Sequence, residues 1–166
     1  MGTIKSEGKI YMQSVVDACC SLSFARRHFS TAPITAAETL HNRMFPFYDE
    51  HGVVVEHLLT ENGREFRGKE LQHPFVLYLV ISQVHYCRAE VCSPESNGFC
   101  ESFRRTVKEE FFSVAFRKTL CESVLQLQTD LDRYIEFYNR ERADQGYRTR
   151  GRILYQDSDR MLIWMR

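Results

Sequence analysis

The sequence predicts an α/β fold in which a mixed sheet is flanked by helices. Segments rich in β-branched and aromatic residues dominate the first part of the chain, and segments with helical spacing of apolar residues dominate the second part. One predicted helix lies between predicted strands, which is typical of a mixed sheet with helices packed on it. The 166 residues suffice for one buried core, and no repeat or second domain is visible.

The first segments are predicted to form a hairpin followed by a third strand. Ile10 to Ala18 is rich in β-branched and aromatic residues and follows the turn signal Ser6-Glu7-Gly8, so it is predicted to be the second strand of the hairpin. Ser21 to Phe29 alternates well enough to be the third strand. These three strands would form one side of the sheet.

A helix and a buried strand are predicted next. Thr35, with Glu38 three residues later, is the pattern of a helix N-cap, and the segment Pro46 to Gly52 should end or kink that helix. Val53 to Leu59 is a compact apolar run that leads into the turn signal Thr60 to Gly63. We therefore predict a buried strand with acidic and polar residues directly after it.

The rest of the chain is predicted to be mainly helical. Phe75 to Ser82 fits either a short helix or a buried strand, and Gln83 to Arg88 fits a short strand. Long helices are predicted from Asn97 and from about Thr119 to Tyr138. The first of these places Phe99, Phe103 and Val107 on one side and its charged residues on the other, namely Glu101, Arg104, Arg105 and Lys108.

Composition excludes several classes of protein. The formal charge is zero, so a nucleic acid would have to be met by a local basic patch. The start has no apolar signal region, and the longest apolar run, Phe75 to Ile81, is too short to cross a bilayer, so we expect a cytoplasmic protein without a membrane partner. The six cysteines contain no CxxC pair and are expected to be reduced; Cys87 and Cys92 near His73 and His85 are more simply structural residues than a zinc site.

Two segments resemble motifs of one enzyme family. The segment from Leu58 to Phe66 reads Leu-Leu-Thr-Glu-Asn-Gly-Arg-Glu-Phe, and the segment from Ser93 to Glu101 reads Ser-Pro-Glu-Ser-Asn-Gly-Phe-Cys-Glu. They resemble the Leu-Thr-Asp-Asn-Gly and Ser-Pro-Gln-Thr-Asn-Gly-x-x-Glu motifs of bacterial insertion-sequence transposases of the retroviral-integrase (DDE) type. Phe103 to Phe112 and Tyr138 to Tyr147 resemble the later segments of that family. The resemblance covers residues 1–152 as a catalytic core, and residues 153–166 form a tail without recognisable character.

The resemblance implies a ribonuclease H-like fold and metal-dependent cleavage and transfer of DNA strands. It assigns Glu61 and Glu101 to catalytic and metal-binding positions, with Mg²⁺ or Mn²⁺ as the cofactor, because hard oxygen ligands suit these ions. It also assigns a DNA-contacting surface to Asn62, Gly63, Asn97, Arg104, Arg105 and Lys108. Arg104, Arg105 and Lys108 follow Glu101 at helical spacing and would contact phosphates.

Two departures from the family indicate impaired catalysis. Glu61 stands where the family has its second aspartate, and the extra methylene moves the carboxylate by on the order of 1 Å. The first aspartate lies in the family before the segment that resembles Gly2 to Lys5, so most of the first strand is expected to be absent. Asp17 lies on a strand before Glu61, and we interpret it as a structural carboxylate at a strand end.

We therefore predict a transposase or integrase core fragment whose activity is impaired. The alternative is a non-catalytic remnant that binds DNA weakly through its basic helix face or joins an intact transposase. A decayed product without any role is a third possibility. The predicted partners are DNA and either a second copy of the chain or an intact transposase.

Overall fold

The first three strands form an antiparallel sheet. The computed structural model describes residues 2–4, 8–18, 20–61, 63–66, 72–88, 98–114 and 124–142. Strand β1 (Gly2–Ile4) pairs with β2 (Gly8–Val16), and β2 pairs with β3 (Ser23–His28), in the order β1-β2-β3. The register places Gly2 opposite Ile10, while Tyr11 to Val16 pair with β3 on the other side. The predicted hairpin and third strand are confirmed.

A helical segment with a wide turn in its middle follows. Helix α1 (Pro33–Thr39) continues through a π turn (Leu40–Met44) into α2 (Phe45–Glu50). The prediction that Thr35 is the N-cap is wrong: Pro33, whose fixed φ suits the first turn, starts the helix, and the Thr35 hydroxyl donates to the Ala32 carbonyl at 2.7 Å. The predicted end is correct, since the helix stops at Glu50 and Gly52 adopts a φ of 67°.

A second, parallel pair of strands is formed by β4 (His57–Thr60) and β5 (His85–Arg88). The prediction of a buried strand from Val53 onward is wrong for residues 53–56, which lie outside any strand; Val54 is 77% exposed. A short 3₁₀ turn (Arg64–Phe66) and helix α3 (Pro74–Ile81) join the two strands. The open choice for Phe75 to Ser82 is thus settled in favour of a helix.

Two helices cover the antiparallel sheet. Helix α4 (Gly98–Thr106) continues into a π turn (Val107–Phe112), and α5 comprises Val124–Arg140. Phe103 and Val107 are buried as predicted, and the Phe103 ring packs edge-on against Tyr138 with 5.1 Å between centroids. The predicted helix starts at Asn97 and Thr119 lie outside the described residues.

Helix α5 also protects the edge of the antiparallel sheet. The Asn139 side chain donates to the Ser23 carbonyl and accepts from the Ser23 amide, at 2.9 and 3.0 Å. The Gln128 side-chain oxygen accepts from the Arg27 amide at 3.0 Å. Backbone groups of β3 that would otherwise be unpaired are therefore satisfied by side-chain amides, which makes this edge unsuitable for pairing with another strand.

The two sheets are separated by an apolar cavity of about 650 Å³. On one side it is lined by Gln13 to Ala18 and on the other by Val53 to Glu61, with α1, α2 and Phe75 beneath. Within the described ranges, no strand pairs with Tyr11 to Val16 on the side away from β3. The predicted α/β class is confirmed, with the sheet in two parts.

The described helices include none with both the length and the apolar character that a bilayer crossing requires.

Two buried histidines predict that the fold loses stability in acid. His28 lies within hydrogen-bond distance of the Thr39 hydroxyl at 2.9 Å, and desolvation lowers its pKa although Glu38 opposes the shift. Burial and the Arg88 charge also lower the pKa of His73. Each neutral ring stabilises the fold fully above the unfolded pKa of about 6.5, and this contribution is lost as the pH falls through the lower folded pKa.

We expect the Tm to fall between pH 7.5 and pH 5.5, and His28→Gln to reduce that fall, because an amide cannot titrate. Thermal unfolding followed by circular dichroism at the two pH values measures the effect. His57→Gln is the control, since His57 is exposed. An unchanged pH dependence in His28→Gln would contradict the assignment.

Candidate functional site

The predicted acidic site begins at the end of β4. Thr60 is buried, and its hydroxyl lies 3.1 Å from the Tyr86 hydroxyl of β5. Tyr86 in turn donates to the Phe66 carbonyl at 3.0 Å and accepts from Arg88 Nε at 3.3 Å. These contacts hold the end of β4 and the following 3₁₀ turn together. Glu61 directly follows Thr60 and lines the cavity.

An arginine of α4 neutralises the Glu61 carboxylate. Arg104 Nη1 lies 2.5 Å from Glu61 Oε1, and Arg104 Nε donates to the Ser14 hydroxyl at 2.9 Å. About one third of each charged side chain is exposed, so the pair is partly screened by solvent. One guanidinium thus joins β2, the end of β4 and α4. The contact of Arg104 with DNA phosphate stays a prediction; in this structure its Nε and Nη1 donate to protein oxygens.

Helix α4 places Cys100 and Arg104 at the cavity that Glu61 also lines. Cys100 and Arg104 are four residues apart and both line the cavity. Burial raises the pKa of the Cys100 thiol; Arg104 opposes this shift, and Glu61 adds to it. Glu101 is exposed and is not among the residues that line the cavity.

The remaining predicted residues fall into three sets. Arg105 and Lys108 are exposed on the outer side of α4 and its continuation. Gly63 lies beneath the Glu65 carboxylate, whose Oε2 would be 2.6 Å from a Cβ at this position, so a glycine leaves room for it. Asn62 and Asn97 lie outside the described residues.

Asp17 has the structural role that we predicted. It directly follows β2, and its carboxylate accepts hydrogen bonds from the Tyr48 hydroxyl and from the Cys20 amide, the latter at 3.2 Å. These contacts fix the turn between β2 and β3 and attach it to α2. Sequence reasoning overlooked Ser14 and Cys100, although a serine within an apolar strand is a recognisable signal for Ser14.

While Arg104 is paired with Glu61, the side chains described at this site do not fit a divalent cation. Magnesium and manganese require several oxygen ligands, usually with net negative charge. In the part of the chain that the structure describes, no three His, Cys, Asp or Glu side chains are grouped as metal ligands. The Glu61 charge is balanced by Arg104, and the Cys100 thiol lines the same cavity.

Comparison with solved structures identifies the fold. The chain superposes on the catalytic core domain of bovine immunodeficiency virus (BIV) integrase with a TM-score of 0.65 and 16% identity, over 93% of this chain and 90% of that one. The integrase core fold is therefore present. The HTLV-2 integrase catalytic core domain, solved in complex with magnesium as a trimeric form, gives a TM-score of 0.59 and 11% identity, over 87% and 82% of the two chains.

Two further comparisons bear on the integrase core. A simian T-cell lymphotropic virus intasome, in complex with a PP2A regulatory subunit, gives a TM-score of 0.62 and 15% identity, over 87% of this chain and 46% of that one. Residues 82–150 match the family described as Integrase core domain, a range that includes Glu101 and α4 but not Glu61. No protein of curated function matches the sequence.

Proposed function

We propose that this chain is an integrase-type core that binds DNA through the outer side of α4 and in which metal-dependent strand cleavage is impaired. We infer the impaired cleavage from the Arg104–Glu61 ion pair, because the Arg104 guanidinium places a positive charge of the protein itself at the Glu61 carboxylate. We infer DNA binding from Arg105 and Lys108, because exposed cationic side chains at helical spacing suit phosphate contacts.

Catalytic impairment is tested with supercoiled DNA in the presence of Mg²⁺ or Mn²⁺, the ions that the family resemblance implies. We expect no cation-dependent nicking or strand transfer by the purified chain beyond that of Glu101→Gln, which is the matched control. Glu101 is exposed, so this substitution should leave the fold intact. Cleavage that Glu101→Gln abolishes would contradict impairment and restore Glu101 as a catalytic residue.

DNA binding should depend steeply on salt and only weakly on sequence. Each phosphate contact releases condensed counterions and changes the slope of log K against log salt by about 0.9. We expect Arg105→Gln and Lys108→Gln each to weaken binding and to reduce the slope by about one. Fluorescence anisotropy with a labelled duplex between low and moderate salt measures both quantities.

The control for DNA binding is Arg133→Gln, which removes the same charge from an exposed position on α5. It should leave the slope unchanged. The affinity itself is expected to be low, because Glu101 and Glu109 are exposed near Arg105 and Lys108 and oppose phosphate binding. Equal slopes in all three variants would exclude α4 as the DNA-binding surface.

We also propose the lineage that the motifs imply, a bacterial insertion-sequence transposase whose core extends over residues 1–152. The cavity between β2 and β4 supports the view that the strand carrying the family's first aspartate is not part of the described sheets. A non-catalytic core of this kind would act by joining a second copy or an intact transposase. Light scattering of the purified chain over a concentration series would detect self-association.

A further inference from the structure

We infer that Arg104 is a built-in counter-ion that occupies the place of a divalent cation at Glu61 and keeps that cation out. The inference rests on the proposed integrase-type site and adds a stated cause for its impairment. Three observations converge on it: the short ion pair, the anchoring of the same guanidinium by Ser14, and the position of Arg104 on a helix fixed by buried Phe103.

The hydrogen bond to Ser14 determines how firmly Arg104 is held at Glu61. A guanidinium held by one contact alone would move aside readily, since the pair is partly exposed. Here the Nε–H donates to Ser14 on β2 while Nη1 donates to Glu61, so the planar group is oriented by two strands at once. A cation entering at Glu61 would have to displace both contacts and would then lie beside an uncompensated positive charge.

Among the described residues, Glu61 is the acidic partner of Arg104, although Asp17 and Glu56 also line the cavity. Cys100 lines the cavity one helical turn before Arg104, and a sulfur ligand is poorly suited to hard cations. Asp17, which also lines the cavity, is engaged by Tyr48 and the Cys20 amide. Arg104 therefore provides the positive charge that Glu61 requires.

The test uses Mn²⁺ as the probe and thermal unfolding of the full chain as the readout, at matched ionic strength. We expect Mn²⁺ to leave the Tm of the unaltered chain unchanged and to raise that of Arg104→Gln by about 3 °C at ten times the dissociation constant. The double variant Glu61→Gln with Arg104→Gln should lose that rise. Arg104→Met, which keeps an apolar stem for packing, serves as the second variant if the glutamine perturbs folding.

Arg105→Gln is the matched control, since it removes an equal charge from the next residue, which is exposed. An equal Mn²⁺ effect in Arg105→Gln would mean that overall charge, not the ion pair, excludes the cation. A Tm rise in the unaltered chain that Glu61→Gln removes, or no rise in either Arg104 variant, would overturn the inference. DNA binding through Arg105 and Lys108 is measured separately, so loss of the counter-ion role leaves that part of the proposed function testable.

Discussion

Phe103→Ala is expected to lower the free energy of unfolding by about 3–5 kcal/mol, the range found when a buried aromatic side chain is truncated. Phe103 is 1% exposed and packs edge-on against Tyr138 of α5. Its removal would leave a cavity between α4 and α5 and would also remove a favourable contact between the two rings. Urea denaturation measures the change as a lower midpoint at an unchanged slope.

The control for this prediction is Phe137→Ala, one residue before Tyr138 on the same helix. Phe137 is 43% exposed, so its truncation should cost far less than that of Phe103. A loss below about 1 kcal/mol for Phe103→Ala would show that α4 is not anchored through this ring. The effect also concerns the site, because Phe103 directly precedes Arg104 and fixes the helix that presents it to Glu61.

The sequence predicted those elements whose pattern is local. Strands β2 and β3 and helix α5 were found because alternation and helical spacing extend over many residues. The N-cap at Thr35 was wrong because Pro33 fixes the first turn earlier in the chain. Residues 53–56 were predicted to be strand, but they lie outside any described strand and line the cavity, and only Glu56 among them accepts a backbone hydrogen bond from β5, from the His85 amide at 2.7 Å.

The sequence alone predicted only part of the site. The motifs drew attention to Glu61 and to helix α4, yet the decisive contact joins Glu61 to Arg104, 43 residues away, and continues to Ser14, 90 residues from Arg104. Such contacts follow from how strands and helices pack, which spacing along the chain does not encode. The sequence therefore did not indicate that Arg104, three positions after Glu101, pairs with Glu61.

An additional strand joined to the chain before Gly2 is expected to stabilise the protein by about 2 kcal/mol or more, which corresponds to a rise in Tm of about 5 °C for a domain of this size. Because Gly2 pairs with Ile10 in antiparallel register, six residues that replace Met1 before Gly2 would lie opposite Tyr11 to Val16. They would enter the apolar cavity between β2 and β4 and supply hydrogen-bond partners to the open strand edge.

The expected stabilisation by the added strand is the difference between favourable and unfavourable contributions to the free energy of folding. Each inward valine contributes about 1.5–3 kcal/mol on burial, and ordering each residue of the extension costs about 1–2 kcal/mol, so backbone hydrogen bonds and the removal of the cavity decide the net gain. An extension of alternating valine and threonine is compared with one in which proline replaces threonine. Proline cannot donate to a ladder, so the second extension should give little stabilisation.

Hydrogen exchange locates the effect of the extension. Amides of Tyr11 to Val16 that point away from β3, and those of β4 that point away from β5, should become protected only with the pairing-competent extension. Equal stabilisation by the proline-containing extension, or protection confined to β1, would show that the cavity does not accept a strand. Protection on both edges would mean that the two described sheets are halves of one sheet, with Glu61 at the end of a strand next to the inserted one.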